Sequence, residues 1–309
     1  MYKYFVKLLT IFVFILMLLF PKQVFAGASD GLLLWFNSVL PTLLPFMILS
    51  NLLLRTHAID WIVRITGPVS RRVLETSDYG SFAAVTGFLC GYPMGSKVTA
   101  DLLRDGKISL SEAQYLLSFC NNASPVFIIS YIVLQNMRQE RLLVPALVIL
   151  MSSPILASFL FRIFYRHGRQ NFYAVSVSEN SGQTAGNIVD ASIMNGFEMI
   201  TKVGGYIMLF SILISLVETA DISNYLIRNV LLPSMEITNG ISLLCQSSLS
   251  AADTFFLCMV CTSFGGWCAA AQTSCMISGT GLSIKPYIVQ KLIIATVTSL
   301  LCYIYFHFF

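Results

Sequence analysis

The chain has 309 residues, of which 56% are apolar and only 11% charged, with a net charge of +4. A soluble domain carries roughly 25% charged residues, and a water-solvated surface of this size needs far more charge than is present here. With a mean hydropathy of +0.75, lipid is the expected solvent for most of the surface. This excludes a soluble enzyme and leaves nucleic acid out of the expected partners.

The first apolar run, residues 4–20, begins among Lys3 and Lys7 and is followed by Val24-Phe25-Ala26, which loosely resembles a signal-peptidase site. Signal-peptide apolar regions have about 7–15 residues, and this run is longer, so a retained transmembrane helix over residues 1–26 is expected. Runs at 32–54, 142–161, 200–217 and 288–306 approach the roughly 20 residues that a crossing needs. Shorter or interrupted runs lie at 82–89, 126–134 and 241–271.

Charge orders these runs across the bilayer, because short cytoplasmic loops collect lysine and arginine. Arg55, Arg64, Arg71 and Arg72 follow the 32–54 run, and Arg162, Arg166 and Arg169 follow the 142–161 run. Residues 218–236 instead carry Glu218, Asp221 and Glu236 against Arg228 alone, and read as external. The pattern closes if residues 82–100 and 241–278 each enter and leave by one side, with 118–135 going out, 142–164 returning and 288–307 ending inside; Arg138 and Arg141 are the main exceptions. The expected fold is an all-α membrane protein of about six transmembrane helices plus two re-entrant helical hairpins. It is expected to be multi-pass in the cell membrane with both termini cytoplasmic.

Both expected hairpins contain helix breakers: Gly87, Gly91, Pro93 and Gly95 in the first, Gly265 and Gly266 in the second. Irregular backbone at membrane depth is tolerated only where protein or a polar cavity satisfies it; glycines also let helices pack closely. A weak repeat accompanies the breaks. IDWIVRITGP (59–68) resembles ISNYLIRNVLLP (222–233), and DGKISLSEAQYL (105–116) resembles GTGLSIKPYIVQKL (279–292), at an offset growing from about 164 to about 174. Repeat one is placed at 31–165, a linker at 166–187 and repeat two at 188–309. The charge pattern inverts the repeats relative to each other, and inverted repeats with discontinuous helices are a signature of secondary transporters.

Four polar groupings sit at or near the breaks. The first is Gly91-Tyr92-Pro93-Met94-Gly95-Ser96-Lys97. A lysine at mid-membrane costs about 2.5–3.5 kcal/mol on insertion scales, so Lys97 is a candidate for substrate contact, with free backbone N–H groups beside it for an anion; the other reading has it snorkel to the interface. The second is Asn121-Asn122-Ala123-Ser124-Pro125, where Ser124 or Asn122 can cap a helix beginning at Pro125. The amide pair also offers the donors and acceptors that suit a cavity lining. In the third, Glu236-Ile237-Thr238-Asn239-Gly240, a turn accounts for Asn-Gly, and Glu236 with Thr238 and Asn239 is a candidate for proton or sodium coupling. The fourth is Ser263-Phe264-Gly265-Gly266, with Gln272 beyond it.

Other features read as structural. Ser109 with Glu112 and Ser250 with Asp253 have capping-box spacing, and Glu198 with Lys202 has that of an i,i+4 ion pair. Cys258 and Cys261 form a C-x-x-C, but no second pair or histidine is near them in sequence, and His57, His167 and His307 are scattered. No metal or cofactor is expected. Hydrolase and metalloprotease signatures are absent from suitable contexts, so an intramembrane enzyme is not expected either.

GFLCGYPMGSK, SFCNNASPVFI, EITNGI, SFGG and TGLSIKPY resemble the YlbJ (SpoVV) sporulation integral membrane proteins, which carry the nucleoside-recognition or Gate domain and are related to concentrative nucleoside transporters. The resemblance runs from about Leu32 to the end of the chain, while Trp267-Cys268-Ala269-Ala270 departs from the family pattern. It implies a Gate-type transporter domain over residues 27–309, a homo-oligomer, and a substrate site at two broken hairpins. It further implies secondary transport of a small anionic metabolite, dipicolinic acid during sporulation; nucleosides or another organic solute, or a non-transporting sporulation scaffold, are the alternatives. Lys97 and the free amides of the first break would then meet a carboxylate, and Tyr92 or Phe264 the ring.

Overall fold

The computed structural model describes residues 2–56, 72–165, 185–219 and 224–308, with Ala58, Trp61 and Arg64. His57, His167, Arg71, Arg166, Arg169, Asp221, most of the 59–68 stretch, residues 222–223 and most of the expected linker lie outside the described residues.

Every element among the described residues is a helix. Helix α1 (Tyr2–Leu19) is followed by α2 (Pro21–Leu34), which runs through a π-helical turn at Trp35–Val39 into α3 (Leu40–Arg55). Residue 26, where the sequence suggested a boundary, therefore lies inside a helix. Helices α4 (Asp78–Cys90) and α5 (Met94–Arg104) fold back on each other. Helix α6 (Leu110–Phe119), the π-helical segment Phe127–Met137 and α7 (Leu143–Tyr165) complete the first half. The second half opens with α8 (Ala185–Glu218) and a π-helical turn, Ile227–Leu231, leading into the short α9 (Leu232–Met235). Helices α10 (Ile237–Gln246), α11 (Ala251–Phe264), α12 (Gly266–Met276) and α13 (Ile284–Phe308) follow.

Five described segments are long and apolar enough to cross a membrane: Pro21–Arg55, Glu140–Tyr165, Gly186–Glu218, Ala251–Met276 and Ile284–Phe308. Many of their large apolar side chains face outward, among them Leu33, Phe36, Val148, Phe164, Leu209 and Leu300. An apolar exterior on this scale fits a lipid solvent. The set differs from the six crossings expected. Residues 118–135 are not one helix, because α6 ends at Phe119 and the chain resumes helical form only at Pro125. Proline lacks the N–H to continue the previous turn and is suited to start a new helix. Conversely, 241–278 is not one hairpin broken at its middle. Gly265 does interrupt it, but α11 and α12 do not pack along each other as α4 and α5 do, and the helix that folds back on its neighbour here is α10, against α9 and α11.

Helix ends follow the capping chemistry of the sequence. Ser109 Oγ accepts from Glu112 N at 3.2 Å, and Ser250 Oγ accepts from Asp253 N at 3.1 Å. Ser77 Oγ accepts from Gly80 N at 3.0 Å at the start of α4. Glu112 Oε1 accepts from Ser77 N at 2.6 Å and so ties α6 to the first hairpin. Glu198 and Lys202 form the expected pair at 2.7 Å.

Two bodies emerge from the packing. Helices α2 and α3 lie along α8, where Trp35 Nε1 donates to Ile200 O at 2.9 Å and Ser215 Oγ donates to Gln23 O at 3.0 Å. The remaining helices from α4 to α7 and α9 to α13 form the second body, and the first body touches it far more thinly than it packs within itself. Inside the second body the hairpin α4–α5 sits on the break after α6. Gly87 and Gly95 lie so close to the Cys120 carbonyl that a Cβ on either would collide with its oxygen.

Replacing Gly87 with valine should therefore push the hairpin off the Cys120 carbonyl and destabilise the protein by about 1–3 kcal/mol, the usual cost of overpacking. Thermal unfolding of the detergent-solubilised protein reads this, with Gly205→Val, at a glycine with nothing within 4 Å of its added Cβ, as the control.

Candidate functional site

The site is built where helices stop. Helix α4 ends at Gly91, whose φ of 84° suits glycine, and the cis Tyr92–Pro93 peptide forms the tip before α5 begins. Asn121, in the break after α6, is fully buried and ties three segments together. Its Oδ1 accepts from Ser96 N at 3.3 Å, and its Nδ2 donates to Thr273 Oγ1 at 2.9 Å and Tyr287 Oη at 3.0 Å. Asn122 donates to Phe119 O at 2.5 Å. Ser124 Oγ accepts from Phe127 N at 3.2 Å, so the capping role holds for this serine while the two asparagines join segments distant in sequence.

The breaks of the second half meet these. Glu236, 2% exposed, caps α10: Oε1 accepts from Thr238 N and Thr238 Oγ1, each at 3.1 Å, and Oε2 from Asn239 N at 2.9 Å. Asn239 Nδ2 turns away to donate to Ser211 Oγ at 2.7 Å on α8. Gly265 takes φ 87° between α11 and α12, and a Cβ there would strike the Tyr92 ring. The Tyr92 hydroxyl lies 3.5 Å from Thr262 O and 3.4 Å from Ser263 O, so the two glycine-broken segments approach each other. Phe264 packs edge-on against Trp267, and Ser263 Oγ donates to Val260 O at 2.9 Å.

A cavity of about 330 Å³ opens between the two bodies. From the second body it is lined by Gly91, Tyr92, Ser124, Glu236, Thr238 and Gln272, all singled out by sequence. Pro93, Gly95, Ser96, Asn121, Asn122, Ser263, Phe264, Gly265 and Gly266 lie at the breaks and do not line it, nor do Lys97 and Asn239, which bond toward α3 and α8. Sequence reasoning missed the facing wall, where Asn37, Ser38 and Thr42 project from the α2–α3 helix, and also missed Tyr131 and Gln135 of the π-helical segment on the second body's side. Polar residues within the apolar 32–54 run were the available signal.

The two buried lysines divide unexpectedly. Lys97, 2% exposed, does not face the cavity. Its Nζ donates to Asp101 Oδ2 at 2.6 Å and to Asn51 Oδ1 at 3.4 Å. Asp101 also accepts from Arg104 at 3.0 Å, and Asn51 continues to Asn195 Oδ1 at 3.0 Å, so Lys97 belongs to a charge-compensated chain linking α5, α3 and α8. Lys291 is the one overlooked. Only 1% exposed on α13, it donates to Asn122 Oδ1 at 3.0 Å and Ser263 O at 3.3 Å. Its ammonium lies 4.9 Å from the Tyr92 ring centroid and 6.0 Å from that of Tyr287. No carboxylate pairs with it among the described residues. A lysine in the middle of an apolar 25-residue helix is the same signal that drew attention to Lys97.

Long apolar helices, a lipid-compatible exterior and helix breaks converging on an internal cavity define a multi-pass helical membrane protein. Residues 36–164 match the family described as "Gate: Nucleoside recognition", a range that contains both GFLCGYPMGSK and SFCNNASPVFI. The chain is 26% identical over 310 residues to the "Sporulation integral membrane protein YlbJ" of Bacillus subtilis (strain 168), covering 88% of this chain and 75% of that protein. No solved structure matches the chain.

Asn121→Ala should strand buried partners on Thr273, Tyr287 and Ser96 and cost about 1–3 kcal/mol for each group left without a partner. Thermal unfolding measures this, and Asn136→Ala, whose Nδ2 bonds only within its own segment, should cost less.

Proposed function

We propose that the chain is a secondary transporter of a small organic solute, bound in the cavity between the α2–α3–α8 body and the body of broken helices. The observation that carries this reading is the cavity's position, where half-helix ends line one wall and a separately packed helix body lines the other. Discontinuous helices around a central site are the architecture of alternating access, in which one bundle rocks against the other.

The repeat belongs to the same proposal, in a register that differs from the one similar residues suggest. A shift of about 143 residues carries the tip at Tyr92 to Glu236, the break at Asn122 to Gly265, and the start of α7 at Leu143 to that of α13 at Ile284. In this register the two re-entrant hairpins are α4–α5 and the turn from α9 to α10, while the two broken crossings are α6 with Phe127–Met137 and α11 with α12.

Dipicolinate is the first substrate to test, because the similar Bacillus subtilis protein is a sporulation membrane protein. A neutral nucleoside is the second. It is favoured by the lining, which contains Tyr92, Tyr131, Gln272 and Glu236 and, among the described residues, no lysine or arginine, and by the matched family's description.

Purified protein in liposomes should take up one of these solutes saturably. Gln272→Leu, which removes an amide from the cavity wall, should weaken apparent affinity about tenfold, or about 1.4 kcal/mol, with the maximal rate retained. Absence of saturable uptake for dipicolinate, uridine and a panel of organic acids would leave the scaffold role standing.

A further inference from the structure

Lys291 stands at the crossing of two helix breaks, and neither the cavity lining nor the ion pairs account for it. Its hydrogen-bond acceptors are both carbonyl oxygens, and each comes from a different break. Asn122 Oδ1 at 3.0 Å belongs to the break after α6, and Ser263 O at 3.3 Å to the last turn of α11, just before Gly265. The carbonyl end of a half-helix carries partial negative charge, and such ends are where transporters of this architecture coordinate a coupling cation. The faces of Tyr92 and Tyr287 complete a cation-favouring shell. No carboxylate contributes among the described residues, so the shell has the charge character of a site for a single positive charge.

A second observation points to the same place. Asn122 and Ser263 border a small gap together with Ser153 and Thr262. The hydroxyls of those two residues are buried and have no hydrogen-bond partner among the described residues. Buried hydroxyls are normally partnered, so this crossing holds more oxygen than one ammonium uses.

We infer that the Lys291 ammonium is a resident cation that fills, from within the chain, the monovalent-cation position made by the two helix breaks, so that no dissociable alkali ion binds there. The inference rests on the transporter reading for its meaning, but its geometry does not depend on which solute is carried. A sodium ion at the crossing would compete with the Lys291 ammonium for Asn122 Oδ1 and Ser263 O, whereas removal of the lysine side chain frees both carbonyls, with the Ser153 and Thr262 hydroxyls beside them.

The test is thermal unfolding of the full-length protein in detergent, at equal ionic strength in sodium, potassium, choline and ethylammonium chloride. The wild-type midpoint should agree to within a degree across sodium, potassium and choline. Lys291→Ala should lose several degrees in choline and regain at least half of that loss in ethylammonium or sodium. Lys291→Ser makes a similar opening and serves if the alanine variant does not fold; where neither folds in any salt, the wild-type comparison decides. A wild-type midpoint raised by sodium over choline overturns the inference. So does a folded variant that no cation restores, the behaviour of a lysine with a purely structural role. Liposome uptake is scored separately, so a failure of the transport reading leaves these midpoints interpretable.

Discussion

A helix that stops inside an apolar solvent leaves backbone N–H and C=O groups that water cannot satisfy, at a cost of several kcal/mol for each. In this protein the interrupted segments are held against one another. The Cys120 carbonyl is covered by Gly87 and Gly95 of the first hairpin, Asn121 bridges the first hairpin, α12 and α13, and Tyr92 reaches the last carbonyls of α11. Gly266 in turn lies against the turn at Ser234 and Met235. Each break is tolerable because others are in place, so the breaks stand or fall together.

That mutual dependence explains the division into two bodies. The broken helices form one tightly cross-linked unit, while α2 runs on through a π-helical turn into α3 and α8 is one uninterrupted helix. Continuous helices need only side-chain packing from their neighbours, and the contact between the bodies is thin enough to leave a cavity at the level of the breaks. The same arrangement gives the two buried lysines different partners. Lys97 is neutralised by Asp101 within its own helix and serves the contact between bodies, whereas Lys291 lies behind the cavity, bonded to two oxygens and beside two rings.

Much of this was legible in the residues. Gly91 and Pro93, Asn121 to Pro125, and Gly265 marked true interruptions, and Ser109, Ser124 and Ser250 marked true helix starts. The errors fell where an apolar run had to be assigned a direction. Residues 241–278 have the same hydropathy whether the chain turns back or runs on, so composition alone did not separate a hairpin from a run interrupted at Gly265. Glu236 illustrates a related difficulty. Its position before Thr238 and Asn239 is equally that of a helix cap and of an ion ligand, and in the fold its oxygens are occupied by capping donors while it borders the cavity.

The sequence by itself determined the solvent, the helical class and the places where helices stop, because these follow from transfer free energies and from backbone preferences set within a few residues. Only the tertiary structure decided which break faces which, and that Lys291 meets Asn122 and Ser263 across long stretches of chain; the Lys97–Asp101 pair is local, at i,i+4 spacing on one helix. The partners of Lys291 are brought to it by packing between distant segments, and no local pattern encodes them.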